Sequence, residues 1–530
     1  LARLRMRPLS RNRAVISAEP PYLINGYSLS LDSLEAVARH GRKAALAPET
    51  RRVVEDSAGV VAALASSGRS VYGVNTGYGS FASKRIPSAE LPSLPRNLIV
   101  SHAVGVGEPF PLDVTRAAIL VRANTLALGL SGVRPGVILS LVELLNSDAI
   151  PPVPSQGSLG SSGDLAPLAH LALALIDPEL VPDDPPGWIG ASRRPWRQAA
   201  AEIGLQPLGL GPKEGLALTN GATFAAALLS LACVDLRRLL AATEAAAALS
   251  LEALRGASSP LDERLHAARP HPGQQRVAAR LRQLTAGSTL LDSGDQVQDA
   301  YSLRCIPQVL GPVWDILEFA DAVAVREINA ATDNPLFFGS DSVSGGNFHG
   351  EPVGLACDYL KIAASEIGAI SERRTFRLLS PHTSAGLSPM LVRRPERAGI
   401  ESGLMMLQYT AASLVLENQG LAAPASVRSL PTSADQEDHN ANATTAAREL
   451  ARVVQHVEQV VAIELLTASQ ALDLRLSDEP KASPGEGTQA LHARVRREVP
   501  VLDGDAVLGP HIESLVRLVR TDGWQPARQA

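Results

Sequence analysis

The chain has 530 residues, 45% of them hydrophobic and 19% charged, with a formal net charge of -5. That length supports a large core, and a balance so near neutrality excludes both a polybasic nucleic-acid binder and an acidic tail protein. The three cysteines, Cys233, Cys305 and Cys357, are odd in number and far apart, which argues against a disulfide framework or a paired CxxC metal site and for a reducing, cytoplasmic setting.

The first 13 residues hold five arginines and no apolar segment follows them, so no secretory signal is read and residues 1–19 are expected to form a loose arm. Residues 20–217 alternate short helical patterns with glycine-rich turns, notably YGVNTGYG at 72–79 and SHAVGVGEPF at 101–110, and read as an N-terminal region. Inside it, the Pro-, Trp- and Arg-rich stretch Val181–Trp196 reads as an exposed loop. The texture changes over 218–479. From Gly221 to Gly256 more than 30 residues run without a proline, which predicts one long helix. Comparable stretches at 312–331, 353–379, 401–421 and 442–474 are apolar over much of their circumference, so they must pack in a bundle or across subunits. Pro480–Gly487 reads as a break, and 480–530 as a C-terminal helical tail. The fold class is therefore mainly α, a long central helical bundle with a smaller N-terminal region. Charges and prolines interrupt every apolar run before the 18 or so residues a membrane span needs, so no membrane partner is expected.

The motif scan removes the commonest chemistries. None of the five lysines follows a glycine, so there is no Walker A phosphate loop, and no GxGxxG joins a strand to a helix. HExxH, paired CxxC and GxSxG are absent as well, which sets aside the standard zinc and serine hydrolase readings. The most unusual segment is Gly157–His170, GSLGSSGDLAPLAH, a Gly/Ser turn running into an apolar helix that Asp164 is placed to cap. By composition alone it is a helix start.

That segment strongly resembles the signature of the aromatic amino acid ammonia-lyases, in which an internal Xaa-Ser-Gly tripeptide condenses with its own backbone into 4-methylidene-imidazol-5-one (MIO). The matching tripeptide is Ser161-Ser162-Gly163. The resemblance implies that the Gly163 nitrogen attacks the Ser161 carbonyl and that loss of water turns Ser162 into the methylidene. Glycine lets the backbone fold onto itself without a Cβ clash, and serine supplies a hydroxyl to eliminate. Such an electrophile suits the expulsion of ammonia from an α-amino acid, where an unactivated β-proton must be removed and a poor leaving group must depart. It implies neither a metal nor a dissociable cofactor. The family most often has alanine where Ser161 stands, a position that contributes only backbone to the ring.

Matching segments recur in family order over roughly residues 20–520. Tyr72, opening YGVNTGYG, resembles the mobile-loop tyrosine that is the favoured general base. With a reference pKa near 10, it needs positive potential to act near neutrality. Asn220 in LALTNGATF resembles the asparagine that hydrogen-bonds near the MIO oxygen and the substrate, although alone it could equally cap the following helix. Gln298, Tyr301 and Arg304 in VQDAYSLRCIPQ are spaced by three, which would align them along one helical face. The resemblance makes Arg304 a bidentate clamp for the substrate carboxylate and assigns Gln298 and Tyr301 to orienting the substrate and leaving amine. Asn334 in ATDNPL and Phe348 in GGNFHGEP match site-lining positions.

Substrate choice turns on Ser101-His102, which matches the Ser-His pair of the histidine-preferring members, and on Glu437 in SADQEDH, which matches their ring-facing glutamate. A carboxylate can hold an imidazole N–H and steady its charged form. Two places depart from the pattern: Asn440, Ala441 and Asn442 stand where Val-Ser-Met is usual, and Gln419 where lysine is common. The resemblance thus implies a cytoplasmic ammonia-lyase converting L-histidine to trans-urocanate, its MIO loop in the N-terminal region and its sites shared within a homotetramer. A tyrosine or phenylalanine ammonia-lyase, a 2,3-aminomutase and a non-catalytic helical assembly protein stay open as alternatives. So does the choice of proton acceptor among Tyr72, Tyr301 and Glu437.

Overall fold

In the computed structural model, residues 19–524 are described, so the expected arm over 1–19 lies outside them except for Glu19. Among the described residues there are eighteen α-helices and only nine strands, the mainly α class. No helix among these residues is long and apolar enough to cross a membrane. The chain divides into two units made of interleaved segments. The first takes the described part of Leu1–Leu231 with Asp321–Cys357 and Pro424–Arg448; the second takes Ala232–Ala320, Asp358–Ala423 and the described part of Glu449–Ala530.

The first unit is organised around helix Leu112–Ala127, which is buried on every residue from Val114 onward and so lacks a one-sided apolar stripe. Two arginines on this helix are buried because each finds backbone carbonyls. Arg116 donates to Val37, Ala38 and Leu145 and pairs with Asp148 at 2.7 Å; Arg122 donates to the Ala217 carbonyl and the Thr223 hydroxyl. Helix Leu165–Ile176 is buried from Ala166 to Leu175. The turn before it holds Gly163 at φ +73°, in the left-handed region, where an added Cβ would overlap the Gly221 backbone. Gly163 and Gly221 pair as a parallel bridge, which brings the Ser162 turn against the start of helix Thr223–Ala253.

The stretch Val181–Trp196 departs from expectation. Gly187–Ile189 and Ser192–Arg194 form an antiparallel hairpin that also pairs with Ala149–Ile150, and Trp196 is fully buried at the start of the next helix. The charged and proline residues of this stretch mask a two-sided pattern: Arg193 stacks on Trp188 on one side, while the indole of Trp196 fills the core.

The helices that answer to the predicted long stretches are Thr223–Ala253, Ile306–Glu327, Glu351–Leu379, Met405–Leu421 and Ala443–Asp478. The second of these begins six residues before the predicted start at 312 and carries Pro312 inside it. There Gly311 packs directly against the Gly273–Gln274 backbone, a tertiary contact that outweighs the local cost of the proline. In the second unit the alanines at 245–248 are fully buried, small enough for helices to approach closely. An ion pair closes this core. Arg374 binds Glu464 in a two-bond fork at 2.5 and 2.8 Å, and the Ser250 and Ser371 hydroxyls donate to the same carboxylate, all of it buried.

Breaking a buried pair from one side leaves an uncompensated charge, so Arg374→Met is expected to cost about 3–5 kcal/mol in chemical denaturation. Pairing it with Glu464→Gln is expected to restore most of that loss, because the residual carboxylate is then gone.

Candidate active site

Segments of the first unit converge on Ser162. Its carbonyl oxygen accepts two hydrogen bonds, from the Asn220 amide at 2.9 Å and from the Gly221 N–H at 3.2 Å. Its hydroxyl donates to Glu437 Oε1 at 3.0 Å. The Ser161 hydroxyl beside it is buried without a hydrogen-bond partner, as is the Asn220 carbonyl oxygen. Ser162, Glu437, Tyr72 and His102 are all half-buried, so polar groups face an opening rather than the closed core.

Asp164 does not cap its own helix. Its carboxylate accepts from the Ala225 N–H at 3.0 Å, in the first turn of helix Thr223–Ala253, and from the hydroxyls of Ser158 and Thr444. Burial raises its pKa, and these donors oppose the shift. Asn220, in turn, commits its amide to Ser162 rather than to the helix that follows.

Helix Leu94–His102 delivers its last residue to this region. The Ser101 hydroxyl donates its single proton to the Leu98 carbonyl at 3.0 Å, so it accepts from His102 Nδ1 at 3.0 Å and leaves Nε2 as an acceptor, a tautomer assigned from this network. Burial lowers the His102 pKa, and the Glu437 charge acts against that shift. Tyr72 receives the Gly79 N–H on its phenolic oxygen at 3.3 Å and meets the Tyr78 ring edge-on. Burial raises the Tyr72 pKa, and the Glu437 and Asp333 charges raise it further. The positive potential that sequence reasoning requires of a tyrosine base is thus opposed by this surrounding, and only the Gly79 N–H favours the phenolate.

Among the described residues, no hydrogen bond joins the remaining expected residues to Ser162 or Glu437. Asn334 accepts from the Gly345 N–H at 2.9 Å and Phe348 is half-buried; among the described residues no hydrogen bond or ring contact joins either to Ser162 or Glu437. Gln298, Tyr301 and Arg304 belong to the second unit and do not share a helical face, because the helix is a single turn, Tyr301–Arg304, and Gln298 precedes it. Instead, Arg304 folds back to Gln298 Oε1 at 2.6 Å and lies over the Tyr301 ring, and Tyr301 is 71% exposed.

Several contributors escaped the sequence reading. Gly221 acts through its N–H, which every residue but proline carries, so its type gives no signal. Thr432 pairs with Glu437 through backbone bonds in both directions and through its hydroxyl. Lys213 and Asp333 form a fully buried pair at 2.5 Å. The scarcity of lysine in this chain was the one available hint.

The family model for aromatic amino acid lyases matches residues 29–497. The chain belongs to that family. Histidine ammonia-lyase of Anaeromyxobacter sp. (strain K) is 47% identical over 511 residues, covering 95% of this chain and 99% of that one. Histidine ammonia-lyase of Gloeobacter violaceus is 46% identical, covering 94% and 95%. Among solved structures, histidine ammonia-lyase from Trypanosoma cruzi superposes with a TM-score of 0.85 at 36% identity, covering 94% of this chain and 93% of that one. Tyrosine aminomutase from Streptomyces globisporus gives 0.87 at 35%, covering 94% and 97%. The aromatic amino acid lyase family is the MIO-dependent class. The residues here fit that group: a left-handed glycine with no room for a side chain, a serine whose carbonyl has two donors, and a buried, unpartnered Ser161 hydroxyl.

Helix Leu165–Ile176 also carries His170, whose Nε2 accepts the Gly105 N–H at 3.0 Å and whose pKa burial lowers from the usual 6.5. As pH falls, the unfolded chain takes this proton first, so the stabilisation is intact above pH 6.5 and is lost progressively below it. The denaturation midpoint should therefore be lower at about pH 5.5 than at about pH 7.5, and His170→Gln, which keeps an acceptor for Gly105 but cannot titrate, should reduce that difference.

Proposed function

We propose that this chain is a carbon–nitrogen lyase that eliminates ammonia from L-histidine to give trans-urocanate, using MIO made from its own Ser161-Ser162-Gly163. The observation that carries the reading is the pair of donors, Asn220 Nδ2 and Gly221 N–H, aimed at the Ser162 carbonyl within a Ser-Ser-Gly turn. Ring closure joins the Gly163 nitrogen to the Ser161 carbonyl carbon with loss of one water, and removal of the Ser162 hydroxyl with its α-hydrogen releases a second. Once formed, the group would supply an electrophile able to activate the substrate amine. The reading requires no metal and no dissociable cofactor.

The chain's own groups do the rest. Asn220 and the Gly221 N–H hold the Ser162 oxygen and stabilise negative charge gathering there. Tyr72 accepts the β-proton; the Gly79 N–H steadies its oxygen, and the substrate's ammonium offsets the nearby carboxylates. His102 presents Nε2 as an acceptor, and Glu437 accepts the imidazole N–H. Arg304 clamps the substrate carboxylate, Gln298 and Tyr301 orient the substrate and leaving amine, and Asn334 and Phe348 line the pocket. The exposure of Tyr301 supports sites shared between subunits of a homotetramer. The histidine ammonia-lyases at 46–47% identity support the substrate, and the sparse cysteines support a cytoplasmic setting. A 2,3-aminomutase is the second reading, favoured by the tyrosine aminomutase neighbour. Product analysis separates the two, since a mutase returns a β-amino acid and a lyase gives a conjugated acid.

Two outcomes test this reading. The purified protein should weigh two water molecules less than its translated sequence; Ser162→Ala should carry both waters and have no turnover, while an unmodified mass in an active enzyme sinks the proposal. Glu437→Gln should lower kcat/KM for histidine by about ten- to several-hundred-fold, the worth of a charge-assisted hydrogen bond that tightens as charge develops. Weak activity on phenylalanine should fall less, and the Tm should stay near that of the parent chain.

A further inference from the structure

The segment that carries Glu437 does not hold its shape by local preference. Ser433, Ala434 and Asp435 lie consecutively in the left-handed region, at φ 53°, 52° and 64°, which residues with a Cβ disfavour. Backbone bonds between Thr432 and Glu437 close the turn but leave it tied only to itself. Besides the Ser162–Glu437 hydrogen bond, its attachment comes through two asparagines downstream. Asn440, buried, donates its side-chain amide to the Leu430 carbonyl, and its backbone N–H goes to the Ser429 hydroxyl at 2.9 Å. Asn442 donates its side-chain amide to the carbonyls of Ala425 at 3.3 Å and Arg428 at 2.5 Å, and its backbone N–H to the Leu159 carbonyl at 2.8 Å.

Asn442 therefore bridges the strands of chain that lead to the Ser162–Glu437 contact: its side chain holds Ala425 and Arg428 ahead of the Glu437 turn, and its backbone holds Leu159, three residues before Ser162. It sits at φ 47°, a conformation asparagine tolerates better than most residues. The valine and methionine usual in the family at 440 and 442 have no side-chain donor, so this clamp belongs to the residues by which this chain departs from the pattern.

We propose that Asn442, assisted by Asn440, is a positioning residue that fixes the Glu437 carboxylate relative to Ser162, doing with carbonyl-directed amides what the usual apolar residues cannot. The inference rests on the reading of Glu437 as the ring-recognising group.

Asn442→Gly keeps the left-handed backbone and removes the amide, so the protein should still fold and still weigh two waters less than its sequence. With the clamp gone, kcat/KM for histidine should fall about tenfold, as when a buried amide loses its two carbonyl bonds. In a Glu437→Gln background the same substitution should change kcat/KM by less than about twofold, because the carboxylate it positions is already absent. Equal losses in both backgrounds, or no loss in the native one, overturn the proposal while leaving the function intact. An unchanged histidine rate in Glu437→Gln alone overturns both. Should the glycine variant fold poorly, Asn442→Asp keeps size and backbone preference but turns an oxygen on the Ala425 and Arg428 carbonyls, and the same two-background comparison applies.

Discussion

A single buried carboxylate holds the first unit's chemistry in place. Asp164 takes the Ala225 N–H, the Ser158 hydroxyl and the Thr444 hydroxyl, and so ties together the Ser-Ser-Gly turn, the first turn of helix Thr223–Ala253 and the start of helix Ala443–Asp478. A carboxyl group buried this deeply is tolerable only when its lone pairs are filled, and the N-terminus of a 31-residue helix adds favourable potential at that spot. With Asp164 fixed, Gly163 and Gly221 meet backbone to backbone, and that approach aims the Gly221 N–H at the Ser162 carbonyl. A side chain on Gly163 would separate the two segments, and one on Gly221 would run into Thr332 and the Arg122 guanidinium.

Behind this contact lies a set of buried charges. Arg122 reaches the Ala217 carbonyl and the Thr223 hydroxyl, Lys213 pairs with Asp333, and Glu327 lies near enough to Asp164 and Arg122 to feel both. Burial brings Arg122 down to about 10 and, with the Asp164 charge, pushes Glu327 up to about 7. Arg122 remains a cation at neutral pH. Pairs of this kind add little net stability against an apolar alternative, but losing one partner is costly, so they bind their segments together with little tolerance for rearrangement. Asp333 also extends this scaffold into the site, where its charge raises Tyr72.

Local sequence misleads where the partners are remote. Asp164 looks like the cap of the helix it precedes, yet its acceptors are spent on residues 61 and 280 positions away. Gln298, Tyr301 and Arg304 have helical spacing, but a helix of one turn cannot carry a face, and Arg304 turns back onto Gln298 and the Tyr301 ring. Val181–Trp196 has loop composition, and only its pairing with Ala149–Ile150 makes it sheet.

What the sequence determined by itself was the mainly helical class, the long helices and the Ser161-Ser162-Gly163 turn with Tyr72, His102, Asn220 and Glu437 as its companions. Helical periodicity is local, and the motif residues are recognisable by type in their order along the chain. Tertiary structure alone decided which of those residues meet: that Asn220 and the Gly221 N–H share one carbonyl, that Ser162 reaches Glu437 across 275 positions, and that Tyr72 is opposed by carboxylates rather than helped by cations. The reason is physical. Hydrogen-bond partners, burial and local potential depend on distances between segments far apart in the chain, and a backbone donor such as Gly221 carries no mark in the identity of its side chain.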